Sequence, residues 1–468
     1  MKKGTTMKRP DPSGREITFP FDELFFSRTN ERGVIIYGNE VFVRISGYQP
    51  NDLVGQPHSI IRHPDMPRSV FKLLWDTIQT GQPIAAYVKN LAANGDAYWV
   101  MAVVFPFKNE YLSIRLCPSS AFFQLVKGVY ETMLKEEETN GVEAATNLLV
   151  ETLKQGGFAD YPRFMTTALI AEMSERDAKV NAQAHSSTKV GITSVNGSDT
   201  IELIQSVTQA ARSKFMVLSE KMAEFEEASH AFQEKTTALL TSFVRIQVVS
   251  LNVTVFARQL GESAVALGVI SKEFHRMAMD VERSTKELGI VINKLLQNMQ
   301  KSSLDIASLK LQMDMVSFFT AESLTHMDDG TTSIAQAFRP LEENSAVFKG
   351  VGSATAKSAG EAVTELRRQL MAFAKENESI DRVIQTLEII NQMAALESAR
   401  IIAHQVAFAS YLQQMEQFNL VLKATTTDIK HATENLLSIL TFVEERLPEV
   451  TGALDQILEL ALAAKHSK

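Results

Sequence analysis

The residues best suited to chemistry sit close together in the first quarter of the chain. Arg62 and His63 are adjacent, Pro64 follows, and Asp65 comes next. Within four positions they offer a permanent cation, an imidazole and a carboxylate. Trp75 adds a flat apolar face, and Asn90 adds an amide that can both donate and accept. The set suits binding rather than bond making. The chain has no phosphate-binding glycine loop, no nucleophile motif and no kinase or cyclase signature, so no enzyme activity, catalytic residue or metal site is assigned. Plainer readings stand beside each residue. Trp75 shares a helix with leucines and can be core. Arg62 and Asp65 can bridge one another. His63, with prolines nearby, can be a hydrogen-bonding turn residue, or its neutral imidazole can ligate a b-type haem.

The elements that must position these groups are short. Ser27 to Asn30 and Val34 to Tyr37 read as strands around a turn at Gly33. Asn39 caps a helix over Glu40–Ser46 that Gly47 ends. Pro57, Pro64 and Pro67 keep the next segment in short pieces. Ser69 to Thr80 reads as a helix with Val70, Leu73, Leu74 and Ile78 on one side. Ala85–Leu91, a turn at Asn94-Gly95, Tyr98–Phe105 and Tyr111–Cys117 then give three antiparallel strands. The result is a small α+β unit with a cleft between sheet and helices.

These residues resemble a PAS domain, and within that superfamily the flavin-binding PAS domain of bacterial aerotaxis receptors. The resemblance is carried by NEVFVRISGY (39–48), LVGQPHSIIRHPDMP (53–67), the Trp75 helix, VKN (88–90), NGDAYWV (94–100) and YLSIR (111–115). It implies FAD as cofactor, its redox state as the signal, and Arg62, His63, Asp65, Trp75 and Asn90 as binding positions. In physical terms Trp75 lines a slot for the ring, Asn90 bonds the ring edge, and Arg62 and His63 face phosphates. Two departures stand out. Ile84 occupies the place of a second tryptophan, and Leu91, Ala92 and Ala93 replace basic residues.

Beyond the head the text changes character. Phe122 to Met133, Val142 to Gln155 and Tyr161 to about Ala182 read as three connector helices, and HSSTKVGITSVNGSD (185–199) as a linker. Apolar residues then recur every seventh position. One register runs Ile204, Ala211, Leu218, Phe225, Phe232, Leu239, Ile246, Val253. A second runs from Leu267 to Val316, and a third from Leu366 through Phe373, Ile380, Leu387 and Ala394 to Val443. Such a repeat keeps one seam facing a partner helix, so a supercoiled bundle is expected, with breaks near Gly261, from Gly330 to Pro340, near Gly350–Gly352 and at Pro448. Exposed seams need partners. A homodimer satisfies them, as does a rod folded back on itself.

Ser250–Ala278 resembles a degenerate hairpin tip of methyl-accepting chemotaxis proteins, with a fainter echo at ALESAR (395–400). In that family the tip binds the chemotaxis histidine kinase and its coupling protein, which points to Asn252, Arg258, Glu262 and Glu273 as partner-binding positions. Phe256 stands where the family carries glutamate.

A net charge of −8 argues against nucleic acid, which needs a basic footprint. The longest apolar run, Tyr98 to Phe107, falls short of the roughly 20 residues of a transmembrane helix. With one cysteine and no secretory leader, these features point to the cytoplasm. The expected division is a disordered stretch over 1–16, a PAS sensor over 17–120, a helical connector over 121–184, a linker over 185–199 and a bundle over 200–464. The reading is a cytoplasmic transducer that senses redox state or oxygen through a flavin. The alternative is a cofactor-free, PAS-headed scaffold.

Overall fold

The computed structural model describes residues 9–186, 199–259, 265–328, 334–400 and 405–464. Its head is one six-stranded sheet. The strands are β1 (Glu16–Ile17), β2 (Phe25–Asn30), β3 (Ile35–Gly38), β4 (Ile84–Leu91), β5 (Ala97–Phe107) and β6 (Glu110–Leu116). Central β5 pairs with β4 on one edge. Its other edge takes β1, in parallel, and then β6, which leads on to β2 and β3. Between β3 and β4 lie α1 (Glu40–Ser46), α2 (Pro50–Leu53), a 3-10 turn (His58–Ile61) and α3 (Arg68–Ile78). Asn39 caps α1 as expected. Its Oδ1 accepts from Phe42 N and Phe26 N, so one side chain starts the helix and fastens it to β2. Gly47 ends α1 at φ 70°.

Part of the N-terminal stretch expected to lack structure is tied down. Ser13 N donates to Gly95 O at 2.7 Å, and Arg15 pairs with Asp96 at 2.7 Å, which lays the chain along the β4–β5 turn. Residues 1–8 lie outside the described residues, as do 187–198 of the linker.

Register assigns the two faces of the sheet. Val88, Asn90, Ala102, Val104, Tyr111, Ser113, Arg115, Ser27 and Thr29 share the face turned toward α3. Tyr87, Trp99, Ile114, Phe26 and Arg28 share the other. With both faces covered, β5 is buried from Ala97 to Phe105 and reads as a nearly continuous apolar run.

The helices that follow are α4 (Ala121–Asn140), α5 (Val142–Gln155), α6 (Tyr161–Ser186), α7 (Asp199–Gln259), α8 (Val265–Asp328), α9 (Ile334–Ala337), α10 (Arg339–Arg400) and α11 (Gln405–Ala464). The chain divides into two compact units. The first holds residues 1–219, 303–358 and 447–468, and the second 220–302 and 359–446. In the first, the Phe26 ring of β2 meets Phe319 (α8) edge-on at 5.4 Å and lies tilted against Phe348 (α10) at 4.9 Å. Arg176 and Lys310 share Asp314, at 3.1 and 2.9 Å. In the second, four long helices pack side by side: Phe232 on Phe373, Asn298 bonded to Gln369, and Asn377 Nδ2 donating to Thr426 O. Among heptad residues whose side chains are described, all are at most 6% exposed.

Two expected breaks do not occur. Gly350 and Gly352 lie inside α10, and Pro448 lies inside α11. The glycines serve close approach. A Cβ at Gly350 would overlap the Phe107 ring, and one at Gly352 would come 2.8 Å from Leu454 Cδ2. Around Pro448 the buried Leu447, Val450 and Leu454 hold the helix together despite the lost N–H. The break near Gly261 lies outside the described residues, and between Gly330 and Pro340 the chain passes through the short α9.

Candidate functional site

Between the inner face of the sheet and α3 lies a cavity of about 340 Å³. Leu74, Trp75 and Ile78 project from α3, and Val88, Ala102 and Val104 rise from the sheet to form two apolar walls. The Trp75 ring meets Tyr111 edge-on at 5.6 Å, which fixes its plane. The polar groups are few and converge. Asn90 Nδ2 and Ser113 Oγ are buried without a hydrogen-bond partner among the described residues. Arg115 donates to Ser27 Oγ at 2.9 Å and reaches His58 Nε2 at 2.7 Å. Burial, with Arg115 alongside, pushes the His58 imidazole down to about 3, so its Nε2 stays an acceptor. Burial also lowers Arg115 to about 10. Among the described residues that line the cavity, none is an aspartate or glutamate.

The sequence-derived site residues divide. Arg62, Trp75 and Asn90 come together on the cavity wall. Arg62 stacks over Phe71 at 4.1 Å and bonds Met66 O rather than Asp65. Burial lowers its pKa first, then Arg68 and Arg9. His63 and Asp65 are not brought to the cavity. Asp65 is exposed and pairs with Lys89 at 3.0 Å. His63 Nδ1 accepts from Asp65 N, and its ring borders a separate hollow of about 650 Å³ together with Arg9, Arg62, Arg68 and Glu137. Arg62 borders both spaces. Sequence reasoning passed over His58, Ser113 and Arg115. The available signal was alternation along β6, which puts Tyr111, Ser113 and Arg115 on one face.

The cavity has the makings of a flavin site. A flat apolar slot, an orphaned amide and hydroxyl at its edge, and cations on its walls match what such a ring requires. Among the described residues no group of three or more His, Cys, Asp or Glu can hold a metal ion.

The other face of the sheet is tied to the connector. Glu172 of α6 is fully buried and gathers four donors: Tyr87 OH at 2.7 Å, Ser119 N at 2.5 Å, Ser120 N at 2.9 Å and Ser120 Oγ at 2.7 Å. Tyr130 OH of α4 donates to Tyr87 O at 3.0 Å. Glu137 of α4 reaches round to the start of α3, where it accepts from Arg68 N, Ser69 N and Ser69 Oγ. β4 thus presents Val88 and Asn90 to the cavity and Tyr87 to the connector.

Of the residues considered for partner binding, Glu273 pairs with Arg276 one turn on, which lowers its pKa. Glu262 lies outside the described residues, as do the side chains of Asn252 and Arg258. No helix among the described residues is long and apolar enough to cross a membrane.

Residues 35–114 match the family model described as PAS fold. The chain is 38% identical over 117 residues to the aerotaxis receptor of Escherichia coli strain K12, a match covering 24% of this chain. It spans about a quarter (23%) of the receptor's length. Among solved structures, the light-state blue-light photoreceptor Aureochrome1 LOV domain is 16% identical, with 22% of this chain and 88% of that one covered and a TM-score of 0.21. The LOV domain of the Erythrobacter litoralis EL346 blue-light activated histidine kinase is 17% identical, over 20% and 92%, at a TM-score of 0.18. The N-terminal region is a PAS domain, followed by a mostly helical region.

Proposed function

We propose that this PAS-headed chain is a signal transducer rather than an enzyme, and that its cavity holds a flavin, FAD by the resemblance. The observation that carries the reading is the pair of buried, partnerless groups, Asn90 Nδ2 and Ser113 Oγ, at the edge of an apolar slot. Leaving such groups unpaired costs free energy that a bound polar ring edge would recover. Trp75, Leu74 and Ile78 would flank the ring, and Arg62, with Arg9 and Arg68 beyond it, would face the phosphates. His63 and Asp65 would act by shaping the turn that carries Arg62. Bound there, a flavin would supply reversible uptake of electrons and protons.

The relay in this reading would run through β4 and β2. Any shift of Asn90 or Val88 is a shift of the same strand whose Tyr87 is held by Glu172 and Tyr130. Ser27 and Thr29 stand likewise between the cavity and Phe26, which packs on α8 and α10. Two arrangements of the sheet, one favoured by each state of the ligand, would bias the helices behind it. Docking of signalling proteins on the long helices, at Asn252, Arg258, Glu262 and Glu273, belongs to the same reading.

An absorption spectrum of the purified chain tests it. Bands near about 375 and 450 nm identify flavin, and Arg62→Ala, Trp75→Ala and Asn90→Ala should each lower its retention. A single sharp band near about 400–420 nm identifies haem instead. A folded, colourless protein that takes up neither leaves the cofactor-free scaffold.

A further inference from the structure

The cavity wall holds a buried cation that no carboxylate among the described residues pairs with. Among the described residues, the Arg115 guanidinium bonds two neutral groups, Ser27 Oγ and His58 Nε2, and no carboxylate lines the space in front of it. Its residue is 4% exposed. A buried charge left in this state is costly, and an empty cavity gains nothing from it. Ser113 Oγ, two residues away on the same strand face, has no hydrogen-bond partner among the described residues. We propose that Arg115, held in place by Ser27 and His58, is the anion-recognising end of the cavity, and that the ligand is bound more tightly as negative charge grows on the ring edge facing it. The proposal rests on the flavin reading. It adds that the protein itself sets the preference between oxidised and reduced ligand, through one side chain.

The test uses the full chain loaded with FAD. Midpoint potentials are taken by dithionite titration for the wild type, Arg115→Met and Arg115→Lys. Arg115→Met should still bind oxidised FAD but lose about tenfold or more in preference for the reduced form, a fall of about 59 mV for one electron. Arg115→Lys should keep most of the preference. An unchanged potential in FAD-loaded Arg115→Met overturns the proposal and leaves the flavin reading intact. A wild type that retains no FAD removes both. Should Arg115→Met fail to fold, Ser27→Ala and His58→Gln each delete one of the bonds that aim the guanidinium. Both should lower the potential by less, and no change in either is equally fatal.

A separate observation concerns the second unit. Phe225, Phe232 and Leu239 in α7 and Leu288 and Leu295 in α8 are buried, and so are Leu366, Phe373, Ile380, Ile429 and Leu436, each 141 positions on. Equivalent residues meet: the Phe232 and Phe373 rings are 5.1 Å apart. We infer that α7–α8 and α10–α11 are two copies of one hairpin, and that the seam partner of each is the other hairpin of the same chain, not a second molecule. Mixing normal and heavy-isotope chains and joining Lys235 to Asp428, 2.7 Å apart and half exposed, with a zero-length carbodiimide tests this. Linked peptides should be all light or all heavy at every concentration. Mixed-isotope links would show that the bundle closes between chains.

Discussion

On the cavity face of the head's sheet, among the described residues, Asn90 Nδ2 and Ser113 Oγ are buried without partners and Arg115 is buried without a carboxylate. On the opposite face, Glu172 has four donors and Phe26 is enclosed by two aromatic rings. Residues on both faces are buried, so burial does not separate them; what does is whether the polar side chains carried by the strands themselves are paired, as those of Tyr87, Lys89, Trp99 and Arg28 are. Groups that stabilise the fold are paired within it, because an unpaired polar atom in low dielectric costs about 1–3 kcal/mol. Groups kept unpaired in the same sheet weaken the fold, and under the proposed function a bound ligand would offset that cost. Under the proposed function, the comparison distinguishes the side that would receive a signal from the side that would transmit it.

The comparison breaks most visibly at Phe348. Its side chain is fully buried against Phe26 and Phe319, so Phe348→Ala leaves a cavity behind β2 and should cost about 3–5 kcal/mol in a urea titration. Ligand affinity should follow only through the loss of folded protein. A loss under about 1 kcal/mol would mean that α10 does not support the sheet.

Glu172→Ala comes next. It strands Tyr87 OH, Ser120 Oγ and two backbone N–H groups, and about 3 kcal/mol is expected. Glu172→Gln keeps the acceptor oxygen and should recover part of the loss. If alanine and glutamine are equally mild, the carboxylate does not pin the connector to β4.

How much of this was legible in the sequence depends on the kind of information each feature needs. Asn39 and Gly47 state a helix's ends locally, and the seven-residue repeat states a buried seam, so both could be read. Arg115 could not be placed, because a strand arginine alternating with leucine and isoleucine also fits a solvent-facing edge. Only the pairing of Arg115 with Ala102 turns it inward. The two histidines show the same limit. His58 and His63 both stand beside prolines, and the 3-10 turn at His58–Ile61 decides which one reaches the cavity. Gly350 and Pro448 were misread as breaks for a related reason. Glycine also marks close approach, and the ring of Phe107 that uses Gly350 is far away in sequence.

His58 supplies a smaller effect, visible through pH. Its folded-state pKa is lowered to about 3 from an ordinary 6.5, so the fold requires the neutral ring. That contribution is complete above about pH 6.5 and is lost as pH falls from there toward 3. By pH 5 it should amount to about 1–2 kcal/mol, reduced because the ring is partly open to the cavity. Urea titrations of wild type and His58→Gln should diverge between pH 6.5 and 5, with the wild type losing more. Parallel curves would show that the ring accepts a proton at no cost, and that Arg115 is not held in the geometry described.

Ser113→Ala should give the smallest change in stability and so sharpens the comparison most. A buried hydroxyl with a partner loses about 1 kcal/mol when removed, but Ser113 Oγ has none to lose. Deleting it from the empty protein should leave stability within about 0.5 kcal/mol of wild type, or raise it. The same substitution should weaken ligand retention, because under the proposed function the ligand would be the hydroxyl's partner. Stability and binding would then move apart at one atom on the cavity face, whereas Phe348→Ala and Glu172→Ala move them together on the other. A clear loss of stability in the ligand-free Ser113→Ala protein would show that the hydroxyl is paired within the fold, and the division between receiving and transmitting faces would fail at its most exacting point.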